Sequence, residues 1–362
     1  MDAPDGVDEV DEVAPGFLAM LRCPVDGGAL VQDGRWLVST AGRRYPVVEG
    51  VPVMLRADLP ETIGLMAASI RLATAYAQGE VGGPMDVGPY WAASLGVSDA
   101  QRRDVLADSG DGVDPVVDPA IRALVAATNG IAYADQVGRL NEVPIPDLPM
   151  RPDRAGASLL DVGCSWGRWS VAAAQKGFSA VGVDPSLGAV MAARRQVKRL
   201  GLQADFVVGD ARCLPFASGT FDAGYSYSVI QHLGFEDAET AVGELGRVVG
   251  PGGVVCVQMP NRLGVRSLQH QAKRRFRAAT GFEVRYWSLE RLVGMFERRV
   301  GPTEWFVDCF FGLGLQKSDI ALMTPVARAA TLTSEALKRV ALVVPLLGRT
   351  ADSVFLRARK NS

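Results

Sequence analysis

The sequence predicts an α/β fold in which a mostly parallel sheet has helices on both faces, preceded by a small β-rich module. From residue 158 onward, short β-branched runs alternate with helical segments, which is the pattern of βαβ units. Two of these helical segments end at Gly177 and Gly201, and glycine is favoured just past a helix C-terminus. Between residues 17 and 57, Gly and Pro break the apolar runs, which indicates a compact module of short strands.

Composition and charge restrict the class of protein. With 362 residues, 48% hydrophobic and 22% charged, the chain has room for two to three globular domains. A net charge of −2 gives no long-range attraction for nucleic-acid backbones, so nucleic acid is not the expected partner. Five widely spaced cysteines indicate reduced, buried thiols and a cytoplasmic protein. No transmembrane segment is predicted, because the apolar stretch 340–347 is short and contains Pro345.

Composition and periodicity divide the chain into five segments. The N-terminus has six acidic residues and no basic one within its first thirteen positions, which predicts a disordered tail. A run of prolines between Pro144 and Pro152 indicates a stiff linker before the α/β core. The predicted segments are the acidic tail (1–16), the β-rich module (17–58), a helical cap region with the linker (59–150), the core (151–260) and a C-terminal substrate-side region completing the sheet (261–362).

The elements follow from local pattern. Helices are expected within 61–78 and 119–140, and then in three segments of the core, 166–176, 187–200 and 236–249. In the last of these, the apolar residues fall at the spacing of one helix face packed on a sheet. The core strands are expected at SLLDVG, AVGVD, ADFVVGD, FDAGYSYSVI and GVVCVQMP, with two further strands at 304–311 and 352–359.

The candidate ligand-binding residues lie where the first three core strands end. A buried strand containing Asp161 runs into a turn with Gly163 and Gly167 and then opens a helix, whose N-terminus offers free N–H groups to a ligand. Asp184 ends the next strand, where an acidic side chain can bind both ribose hydroxyls of a nucleoside. Asp210 follows the third strand and is able to accept a hydrogen bond from the amine of adenine. We expect these three carboxylates to line one crevice.

These motifs resemble those of the class I S-adenosylmethionine-dependent methyltransferases, in particular the type-11 group. The resemblance covers about residues 155–260, through LLDVGCSWG, VGVDPS, GDARCLPF, FDAGYSYSVIQHL and LGRVVGPGGVV in the family's order. It implies a Rossmann-like sheet and S-adenosylmethionine as the methyl donor, with no metal. Ser165 stands where the family frequently has a glycine. The residues that it assigns to the donor are Asp161, Gly163, Cys164, Ser165, Trp166 and Gly167 beside the methionine part, Asp184 and Pro185 at the ribose, and Asp210 and Ala211 at the adenine.

The glycine motif has three other interpretations. A nicotinamide cofactor would favour G-x-G-x-x-G, whereas the spacing here is G-x-S-x-G. The same letters spell the nucleophile elbow of α/β-hydrolases with His232 downstream, but that reading leaves Asp184 and Asp210 unexplained. The third alternative is a Rossmann-like sheet whose donor site is inactive.

Catalytic residues are less evident than the donor site. His232 follows the fourth core strand and is the candidate general base for a hydroxyl acceptor, although a histidine that only holds the loop is an equal alternative. His270 lies in the run 262–277, which has six basic residues and no acidic one. This run suits a phosphate, an acidic substrate or anionic lipid, or is a solvated helix face. Four aromatic residues are expected either to line the acceptor pocket or to belong to the core; they are Tyr133, Trp166, Tyr225 and Tyr227.

The N-terminal module resembles the small zinc-ribbon-like domain found alone as a methyltransferase activator or fused to methyltransferases. The similarity lies in the Cys-Pro near its start and in the run Tyr-Pro-Val…Gly-Val-Pro-Val-Met-Leu near its end. Asp26 and Ser39 occupy two positions that are cysteine in zinc-binding members, and one thiol does not make a four-cysteine site. We therefore expect no zinc and a role in packing or in protein contact.

Together these features predict an S-adenosylmethionine-dependent methyltransferase acting on a small-molecule, sugar or lipid-linked acceptor by in-line displacement. The alternatives left open are an RNA (rRNA or tRNA) methyltransferase, which the module and the run 262–277 suggest, and a non-catalytic interaction protein with the same fold. Peripheral membrane contact and a protein partner at residues 17–58 are compatible with each of these.

Overall fold

The computed structural model of the protein describes residues 11–61, 64–81, 98–108, 117–129 and 142–361. A seven-stranded sheet forms its centre, with the strand order β10-β11-β9-β8-β5-β6-β7. The strands are β5 (Ser158–Val162), β6 (Ser179–Asp184), β7 (Ala204–Val208), β8 (Phe221–Ser226), β9 (Val249–Pro260), β10 (Thr303–Cys309) and β11 (Ser353–Arg359). The pairs among β5 to β9 are parallel, and β10 and β11 join at one edge as antiparallel strands. The predicted fold class is confirmed, including both C-terminal strands.

Helices cover both faces of this sheet. They are α5 (Arg168–Gln175) and α6 (Leu187–Arg199) on one face, and α7 (Phe235–Val248) and α9 (Leu289–Arg299) on the other. Gly177 and Gly201 follow α5 and α6 with φ of 90° and 64°, the left-handed conformation expected of a glycine at a helix end. The apolar residues predicted to face the sheet from α7 are all buried. Its helical register ends at Val248, and Val249 begins β9 instead.

The N-terminal module consists of a short helix and four antiparallel strands. These are α1 (Pro15–Met20), β1 (Leu30–Asp33), β2 (Trp36–Ser39), β3 (Arg44–Val48) and β4 (Val51–Pro52), in the order β1-β2-β3-β4. The module covers the β7 edge of the central sheet. Val53 forms a parallel bridge with Val208, where Met54 N donates to Val208 O at 2.7 Å, and Leu21 forms an antiparallel bridge with Phe216. The contact satisfies backbone groups that an exposed sheet edge would leave open.

Residues 11–16, which were predicted to belong to a disordered acidic tail, are held in place by a buried side chain. Asp11 is 1% exposed and its carboxylate accepts hydrogen bonds from Arg35 Nε at 2.7 Å, Glu49 N at 2.9 Å and Tyr76 Oη at 2.7 Å. The prediction of disorder is therefore wrong for residues 11–16, because a buried carboxylate with three donors fixes this segment. Composition alone does not reveal such a partner set.

Three helices connect the module to the core: α2 (Met66–Ala77), α3 (Asp99–Asp108) and α4 (Pro119–Asn129). Helix α2 begins at Met66, later than the predicted helix 61–78. Glu61 lies before the helix, and its carboxylate accepts a hydrogen bond from Ala67 N. Ser69 of α2 donates to Pro185 O at 2.8 Å and accepts from Leu187 N at 3.1 Å, so α2 contacts the turn after β6. Beyond Asn129, the helix expected to reach residue 140 lies outside the described residues, as does Tyr133.

After β9 the chain forms α8 (Val265–Lys273), α10 (Pro325–Ala341) and α11 (Pro345–Gly348), in addition to α9 and the last two strands. Two short 3-10 turns occur at Ile230–His232 and Lys317–Leu322. None of the helices in the described ranges is both long and apolar enough to span a bilayer. All five cysteines are buried and none forms a disulfide.

Candidate active site

Parallel pairing of β5, β6 and β7 brings the three predicted carboxylates to one edge of the sheet. Asp161 lies next to Gly182 of β6, and Asp184 lies next to Val208 of β7, two residues before Asp210. Because the carboxyl ends of parallel strands share an edge, this is where an α/β sheet binds ligands. The three residues thus lie at one edge of the sheet, and the crevice that they were expected to line stays a prediction.

The turn after β5 has the conformation expected of a ligand-binding loop. Gly163, Ser165 and Gly167 all have positive φ, of 76°, 47° and 82°. A Cβ on Gly163 would lie 2.1 Å from Val229 Cγ2, and one on Gly167 would lie 2.9 Å from the Cβ of Ala193. Glycine is therefore required at both positions, because a side chain would clash with its neighbours and because a positive φ is unfavourable for other residues. Ser165 adopts the left-handed region in which non-glycine residues are uncommon.

Asp184 is fixed by two backbone donors. Its Oδ2 accepts from Ser165 N at 3.0 Å and its Oδ1 accepts from Ser186 N at 2.9 Å. Ser186 in turn caps α6 by accepting from Ala189 N. Burial raises the pKa of Asp184 to about 6. Each carboxylate oxygen keeps a further lone pair, so the group retains capacity for two more donors.

Asp161 is a second buried carboxylate. It is 1% exposed and accepts a hydrogen bond from Ser170 Oγ at 2.7 Å. Burial, and next the negative charge of Asp184, raise the pKa of Asp161 to about 7. Across the described residues neither carboxylate has an arginine or lysine partner. Two buried carboxylates without a cation are costly for a protein unless a ligand compensates for them.

Asp210 differs from the other two because it is already paired. Arg212 donates to it through its backbone N at 2.8 Å, Nε at 3.1 Å and Nη2 at 2.7 Å, and Nη2 also donates to Pro60 O. Both side chains of this ion pair are 5% exposed. The sequence reasoning missed Arg212, although its place in GDAR was visible. Pairing with Arg212 offsets the charge of Asp210.

Two residues assigned to the donor have side chains in the core. Trp166 is 2% exposed and packs with apolar residues of α4 and α6. Cys164 is also buried, and burial raises the pKa of its thiol. Only the backbone of these residues is available to a ligand in the loop, and of the two alternatives stated for Trp166 its burial agrees with the core.

Tyr225 on β8 and Tyr227 just after this strand have different environments. Tyr225 is fully buried between Trp169 and Phe355, and its hydroxyl has no hydrogen-bond partner among the described residues. Tyr225 therefore belongs to the core. Tyr227 is half-buried, donates to Asp308 Oδ2 at 2.9 Å and accepts from Gln316 Nε2 at 2.8 Å.

Asp308 was not singled out from the sequence. It is 3% exposed, accepts a second hydrogen bond from Ser353 Oγ at 2.7 Å, and burial raises its pKa. Gln258 extends this polar network by donating to Ser353 Oγ and accepting from Ser228 N. The network joins the carboxyl end of β8 to three neighbouring strands, and no local sequence signal marks it because its members are far apart in the chain.

His232 occupies the 3-10 turn after β8. Its Nδ1 lies 2.8 Å from Phe282 O, and its ring stacks on the Phe282 ring with centroids 3.8 Å apart and planes 8° apart. A carbonyl only accepts, so Nδ1 carries the proton and Nε2 presents a lone pair. Nε2 lies 3.3 Å from Gln231 Nε2. Burial lowers the pKa of His232, which keeps the ring neutral.

Other charged and open regions lie away from the three carboxylates. His270 is on the exposed side of α8, with Nδ1 3.1 Å from Tyr286 Oη. A groove of about 990 Å³ lies at the amino edge of the sheet, beside Lys176 and Asp222, and so on the opposite edge from Asp184. Among the described residues, no group of three or more His, Cys, Asp or Glu side chains is placed to hold a metal ion.

Comparisons with known proteins agree with this geometry. Residues 159–253 match the family described as "Methyltransferase domain". Ubiquinone biosynthesis O-methyltransferase of Azorhizobium caulinodans is 32% identical over 107 residues, which are 30% of this chain and 42% of that protein. Norajmaline N-methyltransferase of Rauvolfia serpentina is 34% identical over 109 residues, 29% of this chain and 37% of that protein. The chain therefore spans less than half the length of these two relatives.

Among solved structures, phosphoethanolamine N-methyltransferase 2 of Haemonchus contortus in complex with S-adenosyl-L-methionine has 19% identity and a TM-score of 0.42. The similarity covers 69% of this chain and 61% of that chain. The family match shows that residues 159–253 are similar to a methyltransferase domain and supports the enzyme class predicted from the sequence.

Proposed function

We propose that the protein is an S-adenosylmethionine-dependent methyltransferase with a small-molecule, sugar or lipid-linked acceptor. The observation that supports this most strongly is the pair of buried carboxylates, Asp161 and Asp184, beside a loop with three residues of positive φ. The pair fits a ligand that carries both hydroxyl donors and positive charge, and S-adenosylmethionine has a ribose, an ammonium and a sulfonium.

Each residue of the site has a role in this proposal. Asp184 accepts the ribose hydroxyls, Asp161 acts as the anion nearest the methionine part, and the N–H groups from Gly163 to Gly167 approach the ligand where no side chain intervenes. Asp210 and Ala211 lie beside the adenine, with Arg212 fixing the orientation of the Asp210 carboxylate. The donor supplies a methyl group that is already activated on sulfur, so the protein's task is alignment and exclusion of water.

His232 is proposed as the general base for a hydroxyl acceptor. A base must be unprotonated and within reach of the acceptor. The hydrogen bond to Phe282 O fixes the tautomer in which Nε2 is the unprotonated nitrogen, and burial, which lowers the pKa of His232, favours the neutral ring. Gln231 Nε2, which donates to this lone pair at 3.3 Å, must give way to the acceptor hydroxyl. The turn that holds His232 also contains Val229, whose side chain touches Gly163 of the donor loop. We expect His232→Ala to lower turnover about 100-fold or more without changing donor affinity.

The names of the matched relatives support a small-molecule acceptor. Ubiquinone biosynthesis O-methyltransferase and norajmaline N-methyltransferase are named for small organic substrates, one methylated at oxygen and one at nitrogen. The overall charge of −2 agrees with this class better than with RNA. For residues 17–58 we propose a structural role, since their apolar side chains pack into the core beside β7.

Calorimetry and a transfer assay test the proposal. Wild-type protein is titrated with S-adenosylmethionine, with Asp222→Asn as the control because Asp222 lies at the opposite edge of the sheet. Labelled methyl transfer is then followed over fractions of a cell extract, with and without RNase. Absence of donor binding by folded protein would refute the proposal. Transfer that RNase abolishes would establish the RNA alternative, and binding without transfer to any fraction would indicate the non-catalytic one.

A further inference from the structure

Helix α8 has its apolar side facing solvent. Its buried residues are polar: Ser267 N donates to Asp352 Oδ1 at 2.9 Å, and Gln271 Nε2 donates to Arg262 O at 2.9 Å. Its exposed side carries Val265 and Leu268 at i and i+3, and Phe276 follows the helix at 67% exposure. A surface helix normally places its apolar residues against the core, so this one presents an apolar stripe for which the described residues supply no cover.

Helix α10 is exposed over part of its apolar surface, although Leu337 and Ala341 near its end pack against the core. It buries Thr331 and Ser334, whereas Val326 is 80% exposed. The exposed positions continue along one side of the helix through Leu332 and Val340. The corner between α10 and α11 then exposes Leu342 at 80%, Val343 at 79% and Leu346 at 77%.

The start of α8 adjoins the end of α11. Asn261 Nδ2 donates to the carbonyl oxygens of Arg349 at 2.7 Å and Ala351 at 2.9 Å. A Cβ on Gly264 would lie 2.4 Å from Asp352 Cα, so the two segments are in direct contact. We refer to the exposed apolar residues of this region together as the docking face. It consists of Val265, Leu268, Phe276, Val326, Leu332, Val340, Leu342, Val343 and Leu346.

The charged residues around the docking face are unbalanced. The acidic side chains on these elements are paired, Glu283 with Arg277, Glu335 with Lys338 and Glu290 with Arg349. Four exposed basic side chains have no acidic partner in the described part of the chain; they are Arg262, Lys273, Arg275 and Arg339. The face is therefore apolar and positively charged, although the whole chain carries −2.

We propose that the docking face binds the surface of a bilayer that contains anionic lipids. Aliphatic side chains next to unpaired basic ones are what an interfacial amphipathic helix presents to lipid. A second copy of this chain is a poorer occupant, because a two-fold contact would place the unpaired basic residues against each other. The proposal concerns residues outside the methyltransferase domain and does not depend on methyl transfer.

Vesicle co-sedimentation of the full chain tests the proposal. The probes are vesicles of phosphatidylcholine alone and of phosphatidylcholine mixed with phosphatidylglycerol. We expect binding to the mixed vesicles that weakens with added salt. Lys273→Gln with Arg275→Gln should weaken it about 25-fold, from the usual contribution of two basic residues near an anionic surface. Leu342→Ser with Leu346→Ser should weaken it at least about tenfold, because the inserted methylenes are lost.

Matched controls lie on other faces of the molecule. Lys198→Gln with Arg199→Gln removes two exposed charges at the end of α6, and Val31→Ser removes an exposed apolar side chain in the module. Both should bind the mixed vesicles like wild type. Absence of binding to mixed vesicles, equal binding to neutral ones, or equal loss in the controls would overturn the proposal. So would a wild-type dimer on size exclusion that Leu342→Ser with Leu346→Ser separates. The salt dependence of wild type provides a readout that needs no variant to fold.

Discussion

Asp184→Asn separates the charge of this residue from its shape. Both carboxylate oxygens accept a backbone N–H, from Ser165 and from Ser186, so an asparagine must turn its NH₂ group toward one of these donors. A hydrogen bond from a ribose hydroxyl to a charged group contributes about 1.5–3 kcal/mol. In Asp184→Asn both ribose hydrogen bonds lose their charged acceptor, and the NH₂ group faces one backbone N–H. Together these effects weaken donor binding by about 3 kcal/mol, which is about a 100-fold increase in Kd.

The pH dependence makes this prediction specific. The pKa of Asp184 in the folded protein is about 6, so at about pH 5 roughly nine-tenths of the wild-type residue is protonated and resembles asparagine. The ratio of the two Kd values should therefore fall from about 100 at about pH 8 to about 10 at about pH 5. Asp161 also titrates, and its pKa is lower in Asp184→Asn because the negative charge of Asp184 is gone, so both proteins carry Asp161→Asn in this comparison.

The assay is calorimetry with S-adenosylhomocysteine, which keeps the ribose and lacks the sulfonium charge. Asp222→Asn, at the other edge of the sheet, serves as the control and should bind like wild type at both pH values. A ratio that is the same at both pH values would refute the reasoning, because the charge of Asp184 would then contribute nothing. A ratio near one at about pH 8 would remove Asp184 from the site.

Three further predictions concern stability and are measured by urea unfolding. Gly163→Ala should lower the free energy of unfolding by about 3 kcal/mol, because its Cβ would overlap Val229. The control is Gly177→Ala, which is also at positive φ but has no atom within 4 Å of the added Cβ, and it should lower the free energy of unfolding by only about 1 kcal/mol. Equal losses in the two variants would contradict the overlap. Asp161→Asn should stabilise the ligand-free protein by a few kcal/mol at about pH 8. The folded-state pKa of about 7 lies above the usual value of 3.8, so wild type loses stability as the pH rises from about 4 to about 7, and the gain should vanish below about pH 4. A gain that is constant with pH would exclude titration as its cause. Leu21→Ala, fully buried at the contact with the core, should cost about 2–5 kcal/mol in one cooperative transition, whereas a separate early transition would show that the module unfolds independently.

The sequence predicted the sheet and the three carboxylates because their signals are local. A strand, its turn and the next helix occupy adjacent positions, so period, glycine and acidic residue appear together between Leu159 and Trp169. The parallel register then follows from the handedness of βαβ connections. Asp161, Asp184 and Asp210 reach one edge without any long-range information. Their contacts to the donor stay predictions.

Features that the sequence did not reveal depend on distant residues. Phe282, which fixes the tautomer of His232, is 50 positions away, and Asp308 is 81 positions from Tyr227. Trp166 was read as a ligand contact because aromatic residues occur in both pockets and cores. Its burial depends on α4, which no pattern near Trp166 indicates. The inversion of α8 was missed because a helix pattern shows which residues share a side, and only packing shows which side is covered.

The contact of the module with β7 has a consequence for synthesis of the chain. Val53 reaches its partner Val208 only after about 150 more residues have been made, which takes roughly 10–30 s at the usual rates of translation. During that time Leu21, which is fully buried in the finished protein, lacks its partner Phe216 of the core. The nascent module therefore exposes part of its apolar surface over this interval, and we expect chaperones that act at the ribosome to increase the yield of folded protein.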